Sequence, residues 1–424
     1  MKRRAFLAVG RGAATCALTA RFVKGDWLKV TEELKPAPAG LEDRVAQVIQ
    51  AYDGQGNHRT GTEVDQNSAE WLAGRVREIG VEPTFEAFSF SRLDPQSCYL
   101  RVANRRIDGV PLFDAGVTGG EGVHGRLGPL GSDAEIGLAE SEPVRLSEPL
   151  IAQGNQVQEA RRSRHQGVVV LTRGARPGLF LLNASSFTRP VGPPMLQISS
   201  SESDWLREQA GAHVEATLTS QVTRTAATAI NVTAKVAGSR AALAPVVLMA
   251  PRSGWWACAS EQGSRLACWL EAMRVLAAGK PARDCFFVAL SGHELGLMGM
   301  DAYIQRRPAL IKRAHVWIFF GSDIGAPGQP NLVHASDDVL ERWAVAALEK
   351  EGLTVNAKAR YDSSARGETS TVQRGGGRFI TLACASQVYH NVADRWPEAV
   401  DVSILARYAQ AFANGALELA RQAA

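Results

Sequence analysis

From Ala229 onward the chain alternates short β-branched runs with longer segments of helical apolar spacing. Asn231–Ala237, Val246–Met249, Cys285–Leu290 and His315–Phe320 read as strands, and Gly263–Ala278, Leu295–Gln305 and Val402–Arg421 as helices. Strands separated by helices pair most economically as a parallel sheet with helices on its faces. In an open sheet of this kind, ligands bind beyond the carboxyl ends of the strands. The residues just after Met249, Leu290 and Phe320 are therefore where chemistry is to be sought.

Upstream, Leu41–Tyr52 has helical periodicity after the linker Lys35–Gly40. Asn57–Thr62 is a loop, and Ser68–Ile79 is an amphipathic helix capped at Asn67 or Ser68 and stopped by Gly80. A strand through Phe85–Phe90 follows. Between about 91 and 225 the texture changes to Gly- and Pro-rich turns with short β runs such as Gly167–Leu171 and Pro194–Ile198. The order helix (Val157–Arg164), Gly-Val-Val-Val strand, loop, Pro-Met-Leu-Gln-Ile-Ser and helix (Ser203–Gln209) resembles the protease-associated domain inserted in exported peptidases. The expected division is 1–22 a signal, 41–90 the start of an α/β domain, 91–225 a β-rich insert and 226–424 the rest of the α/β domain.

With 424 residues, 45% of them hydrophobic, the chain can bury a sizeable core. Its 47 basic and 43 acidic residues leave a net charge of only +4 with no long run of one sign, so no nucleic-acid partner is expected. No uninterrupted apolar stretch is long enough to span a membrane. Lys2-Arg3-Arg4-Ala5-Phe6-Leu7, followed by small, weakly hydrophobic residues to Ala20, resembles a twin-arginine export signal and implies a periplasmic or secreted protein. Cleavage near residue 22 leaves five cysteines and no Cys-x-x-Cys pair, which implies no disulfide framework and at most one or two bridges.

The segment after Leu290, Ser291-Gly292-His293-Glu294-Leu295-Gly296-Leu297-Met298-Gly299, sets two polar side chains on a glycine-flanked strand-to-helix turn. Together with Ala229-Ile230-Asn231-Val232, Asp323-Ile324-Gly325 and Tyr389-His390-Asn391-Val392-Ala393-Asp394, it resembles metallopeptidase family 28, the two-zinc aminopeptidases and their glutaminyl cyclase relatives. The resemblance covers most of the mature chain. It implies a mixed, mostly parallel sheet flanked by helices, carrying the β-rich insert.

The family holds two zinc ions with two histidines and three carboxylates, and a neighbouring glutamate takes a proton from metal-bound water. Carried over residue by residue, its Ala-His-x-Asp falls on Ala250-Pro251-Arg252-Ser253, so a ligand histidine and its orienting aspartate are gone. Its bridging aspartate, which opens an Asp-Asn-x-Ser-Gly segment entering a helix, falls on Glu261 in Ser260-Glu261-Gln262-Gly263-Ser264. Of its paired glutamates, the base is replaced by His293 and the ligand is kept as Glu294. Its strand aspartate aligns with Ser322, with Asp323 one residue late, and its last ligand matches His390. One ligand set, Glu261, Glu294 and His390, thus survives for a single zinc, with His293 as the candidate base.

Two readings follow. One is a single-metal hydrolase acting on peptides or small amides. The other is a non-catalytic descendant that binds peptides or a protein partner through the cleft and the insert. Ser253, Ser260 and Ser264 border the same cleft, but none sits in a Gly-x-Ser-x-Gly elbow. Cys258 and Cys268 read as packed thiols. Trp255 reads as a cleft wall or core residue, and His58–Thr60 as a loop bordering the cleft.

Overall fold

The computed structural model describes residues 40–141 and 151–422, with the side chains of 151–155 left aside. The expected signal segment lies outside the described residues. Lys35–Ala424 makes one compact unit.

The sheet of the α/β half runs Asn331–Ala335, Phe379–Cys384, Val316–Phe320, Val246–Pro251, Cys285–Leu290 and the upper part of Glu215–Val236. The four middle strands are parallel, and the two outer ones run antiparallel to their neighbours. Val246–Pro251 and Val316–Phe320 are buried at every position, as expected of parallel strands covered on both faces. Their side chains alternate between two cores. Val246, Leu248 and Ala250 pack under the helices Leu41–Asp53, Ser264–Gly279 and Val402–Arg421, while Val247 and Met249 pack with Met300, Tyr303 and Trp317 on the other side. The register sets Leu290 opposite Pro251, so Arg252-Ser253 and His293-Glu294 leave the sheet at the same end.

The helix Val402–Arg421 has the ends expected from sequence; Asp401 caps it by accepting from the amides of Ser403 and Ile404. The helix expected at Ser68 instead begins at Glu63, because the Thr62 hydroxyl accepts the Asp65 amide and caps it five residues earlier. The turn expected to begin a helix at Leu295 stays irregular until Met298.

Two long antiparallel strands, Pro83–Val102 and Glu215–Val236, pair from Pro83 with Ala234 to Val102 with Ala216. The expected boundaries at 90/91 and 225/226 fall in the middle of this ribbon, where Phe90 pairs with Ala227 and Ser91 with Ala226. Period-2 alternation continues along each strand, and nothing in it marks where one module yields to the next. Beyond the ribbon, Val123–Pro129, Ile136–Ser141, Gly167–Thr172 and Met195–Ser199 form a small parallel sheet with its own core. Cys98, Cys258, Cys268, Cys285 and Cys384 are all free thiols.

Candidate functional site

The turn after Leu290 is fixed from several directions. Asn231 accepts the Ser291 amide at 3.0 Å and donates to the Gly299 carbonyl at 2.8 Å, clamping both ends. Gly299 is required there, since a Cβ would lie 2.0 Å from the Ser291 carbonyl oxygen. The Gly292 amide points at two hydroxyls, Thr60 Oγ1 at 3.0 Å and Ser253 Oγ at 2.8 Å.

Those hydroxyls engage Glu294. Its Oε1 accepts from the Thr60 amide at 2.9 Å and from Thr60 Oγ1 at 2.7 Å, and its Oε2 accepts from Ser253 Oγ at 2.8 Å. Burial pushes the Glu294 carboxyl up, and these hydrogen bonds oppose the shift. Thr60 is held by its loop. The His58 amide donates to the Trp256 carbonyl, the Gly254 amide donates to the His58 carbonyl, and the His58 ring stacks on Tyr52 with 3.7 Å between centroids. Burial lowers His58 to about 3, so it packs as a neutral imidazole. Between Pro251 and Ser253, Arg252 turns inward to a buried ion pair with Asp65 at 2.9 Å, both side chains fully enclosed.

A second cluster forms where Ala259–Gly263, a π-helical turn, leads into the helix Ser264–Gly279. His390 Nδ1 donates to the Leu181 carbonyl at 2.6 Å, which fixes the ring's orientation and leaves Nε2 3.3 Å from Glu261 Oε1, out of line for a hydrogen bond. Asp394 accepts the amides of Ser260 and Glu261 at 2.7 and 3.0 Å, and Ser260 Oγ donates to Asp323 at 2.9 Å. Cys258, Asp323 and His390 all have left-handed backbone, φ 54°, 60° and 59°. Such non-glycine geometry persists where surroundings over-determine it. Burial opposes ionisation of Glu261, but His390, Arg265 and His293 outweigh it and hold the carboxyl at about 2. Burial and the Glu261 charge push Asp323 up to about 6, and burial and Asp323 push Asp394 up to about 8.

His293 projects from the turn toward Glu368, with Nδ1 2.9 Å from Oε1. Burial opposes the imidazolium, and the Glu368 charge more than compensates, so the histidine is raised and the glutamate lowered. Beside them lies Arg265, 2% exposed, its guanidinium 5.7 Å from the Phe319 ring centroid. It influences the ionisation of Glu261, His293, Glu368 and Asp323.

Residues 179–187 cover this end of the sheet. The Leu181 amide donates to the His390 carbonyl, the Ala184 amide donates to the Glu294 carbonyl, and Asn391 Nδ2 donates to the Leu179 carbonyl. Trp255 is a wall of this contact, stacked on Phe113 at 4.9 Å, with Nε1 donating to Asn183 Oδ1.

The expected site residues thus separate. Glu261 and His390 face each other, whereas Glu294 is engaged by Thr60 and Ser253. Among the described residues, the trio of His, Cys, Asp or Glu donor atoms within 4.8 Å of one another is Cys258, Glu261 and Asp394; Glu261, Glu294 and His390 do not make one. The reason is local, since two hydroxyls and an amide already satisfy Glu294. Of the neighbours Ser322 and Asp323, Asp323 is the one buried with its carboxylate on the cluster, and Ser322 is half-buried. Ser253 is buried as a partner of Glu294. Sequence reading missed Glu368, which lies in no motif, and the role of Thr60. It also passed over Arg265, which falls on the closing glycine of the Asp-Asn-x-Ser-Gly segment when counted from Glu261.

These donors do not fit a two-zinc centre. Pro251 and Ser253 offer neither imidazole nor carboxylate, Glu294 is hydrogen-bonded elsewhere, and a guanidinium adds fixed positive charge beside Glu261. Beside the Cys258, Glu261 and Asp394 trio, what remains of the expected ligand set is the orphaned His390 Nε2 opposite Glu261.

Residues 245–416 match the family model described as peptidase family M28. No curated protein matches the chain. Among solved structures it is similar to BSAP, a zinc aminopeptidase from Bacillus subtilis, with 19% identity, a TM-score of 0.71 and coverage of 92% of this chain and 95% of that one. The Peptidase M28 precursor from Shewanella amazonensis SB2B gives 18%, 0.69, 91% and 97%. The aminopeptidase from Aneurinibacillus sp. strain AM-1 gives 16%, 0.67, 90% and 94%. At these identities the likeness establishes the fold.

Proposed function

We propose, from the match of residues 245–416 to the peptidase family M28 model and from the likeness in fold to zinc aminopeptidases, that this chain is an exported, non-hydrolytic relative that binds peptides without cleaving them. The observation that carries this is the engagement of Glu294 by Thr60 and Ser253, which removes the third ligand from Glu261 and His390. The loss of the His-x-Asp pair at Pro251-Arg252-Ser253 supports it, as does the contact of residues 179–187 over the site. Export is supported by the twin-arginine-like segment, and no helix among the described residues is long and apolar enough to cross a membrane.

A hydrolase working with one zinc is the second reading. Ligand atoms about 2.05 Å from a tetrahedral zinc lie about 3.3 Å apart, and His390 Nε2 and Glu261 Oε1 are 3.3 Å apart. The Nδ1–H bond to the Leu181 carbonyl is also the outer contact that orients a ligand histidine. On this reading His293, held by Glu368 at Nδ1, would be the residue that accepts a proton once its imidazole is neutral.

The test is turnover of aminoacyl and N-terminal glutaminyl anilides and of short peptides, with and without added zinc, alongside peptide binding by calorimetry. Binding without turnover is expected. Turnover that disappears in His293→Ala and on chelation would establish the single-metal hydrolase instead.

A further inference from the structure

Arg265 is a long cation at a position where a glycine closes the corresponding family segment, and it points into the cleft. It lies one turn beyond Glu261, so both side chains share a helix face. The Nε and Nη1 atoms are enclosed and make no hydrogen bond among the described residues. A buried guanidinium without hydrogen-bond partners persists only where nearby negative charge offsets its desolvation. That charge is present, since Glu261, Glu368 and Asp323 all feel Arg265. The carboxylates are in the same position, because enclosed acids at this end of the sheet need a positive partner. His293 serves Glu368 directly at 2.9 Å, and Glu261 has His390 and Arg265.

We infer that the Arg265 guanidinium is a built-in cation that replaces the electrostatic role of a metal ion in this cleft, so that the folded protein neither needs nor accepts zinc between Glu261 and His390. This deepens the non-catalytic reading and rests on it. A fixed positive charge beside the Glu261–His390 pair repels a divalent ion and neutralises the carboxylate that would attract it. The guanidinium lies 5.7 Å from the Phe319 ring centroid, and Gly367 packs on the same ring, where a Cβ would sit 3.2 Å from Phe319 and 3.6 Å from His293 Cε1.

The test compares the wild-type chain with Arg265→Gln, Arg265→Lys and Arg265→Gln/Glu261→Gln. Zinc binding is followed by calorimetry, and melting temperature is read in EDTA and in excess zinc. Wild type and Arg265→Lys are expected to bind no stoichiometric zinc and to melt at the same temperature in both media. Arg265→Gln is expected to melt lower in EDTA, to recover in zinc and to bind about one ion at least ~100-fold more tightly than wild type. That gain should vanish when Glu261→Gln is added. An Arg265→Gln variant as stable as wild type in EDTA and indifferent to zinc overturns the inference while leaving the non-catalytic reading in place. Stoichiometric zinc in the wild type, lost in Glu261→Gln, overturns both. If the glutamine variant does not fold in EDTA, folding rescued by zinc supports the inference, and zinc binding by Arg265→Lys refutes it.

Discussion

Glu294 separates a structural carboxylate from a metal ligand, and replacing it gives the two roles opposite signatures. Glu294→Ala removes the acceptor for the Thr60 amide, for Thr60 Oγ1 and for Ser253 Oγ. The two hydroxyls are 3.0 Å apart and can satisfy one another in part. The losses are therefore one buried amide and about one hydroxyl, each costing about 1–3 kcal/mol, plus a cavity. A total of about 4 kcal/mol is reasonable. Over the unit Lys35–Ala424, unfolding entropy near 2.1 cal/mol/K per residue comes to about 0.8 kcal/mol/K. The melting temperature should thus fall by about 5 °C, equally with EDTA and with zinc. Glu294→Gln keeps one oxygen for Thr60 and loses only the acceptor for Ser253, so about 1–2 kcal/mol and ~2 °C are expected. Differential scanning calorimetry at neutral pH reads both. If Glu294→Ala melts with wild type in EDTA but fails to gain the stability that zinc gives wild type, the carboxylate is a ligand and the reasoning fails.

Two further outcomes follow from the buried charges. Arg252→Met should destabilise by about 3–5 kcal/mol because it strands Asp65, whereas adding Asp65→Leu should recover much of the loss, as measured by urea midpoints; a single variant within about 0.5 kcal/mol of wild type would show that the pair is not enclosed in solution. Asp394 is pushed up to about 8 by burial and by Asp323, so the folded chain holds a proton that the unfolded chain has shed. Its stabilisation is complete below the ordinary aspartate range near 4 and is lost as pH rises from there through about 8. Asp394→Asn should accordingly flatten the pH dependence of the urea midpoint over that window, and an unchanged slope would count against the shift.

The sheet was legible because its signal is redundant. Strands buried on both faces read as continuous Val, Leu, Ile and Phe, and the helix Val402–Arg421 carries its own cap in Asp401. Helix starts were less so: Ser68 looks like a cap, but Thr62 captures the Asp65 amide first, a competition decided by backbone geometry. The location of the cleft followed from the sheet alone. Its internal bonding did not, because Thr60, Ser253 and Glu294 come from three distant segments that meet only when Gly292 directs its amide at both hydroxyls. Glu368 is invisible for the same reason. Arg265 is different, since position counting from Glu261 reaches it and its size alone signals that a glycine's space is filled.

The substitutions in the cleft make sense together. A cluster of enclosed carboxylates survives the loss of a metal only if each acid finds another partner. Glu294 has two hydroxyls and an amide, Glu368 has His293, Glu261 has His390 and Arg265, Asp323 has Ser260, and Asp394 has the two amides at the head of the helix. The residues that stand where the family has its orienting aspartate, its base and a glycine, Ser253, His293 and Arg265, are therefore partners for the acids that remain. Residues 179–187 complete the arrangement: the Leu181 carbonyl accepts the Nδ1 proton of His390, and the Leu181 and Ala184 amides donate to the His390 and Glu294 carbonyls. On the proposed reading, this internal neutralisation lets the fold persist at 16–19% identity to zinc aminopeptidases. It also makes the cleft costly to reopen for a metal by any one substitution other than at Arg265.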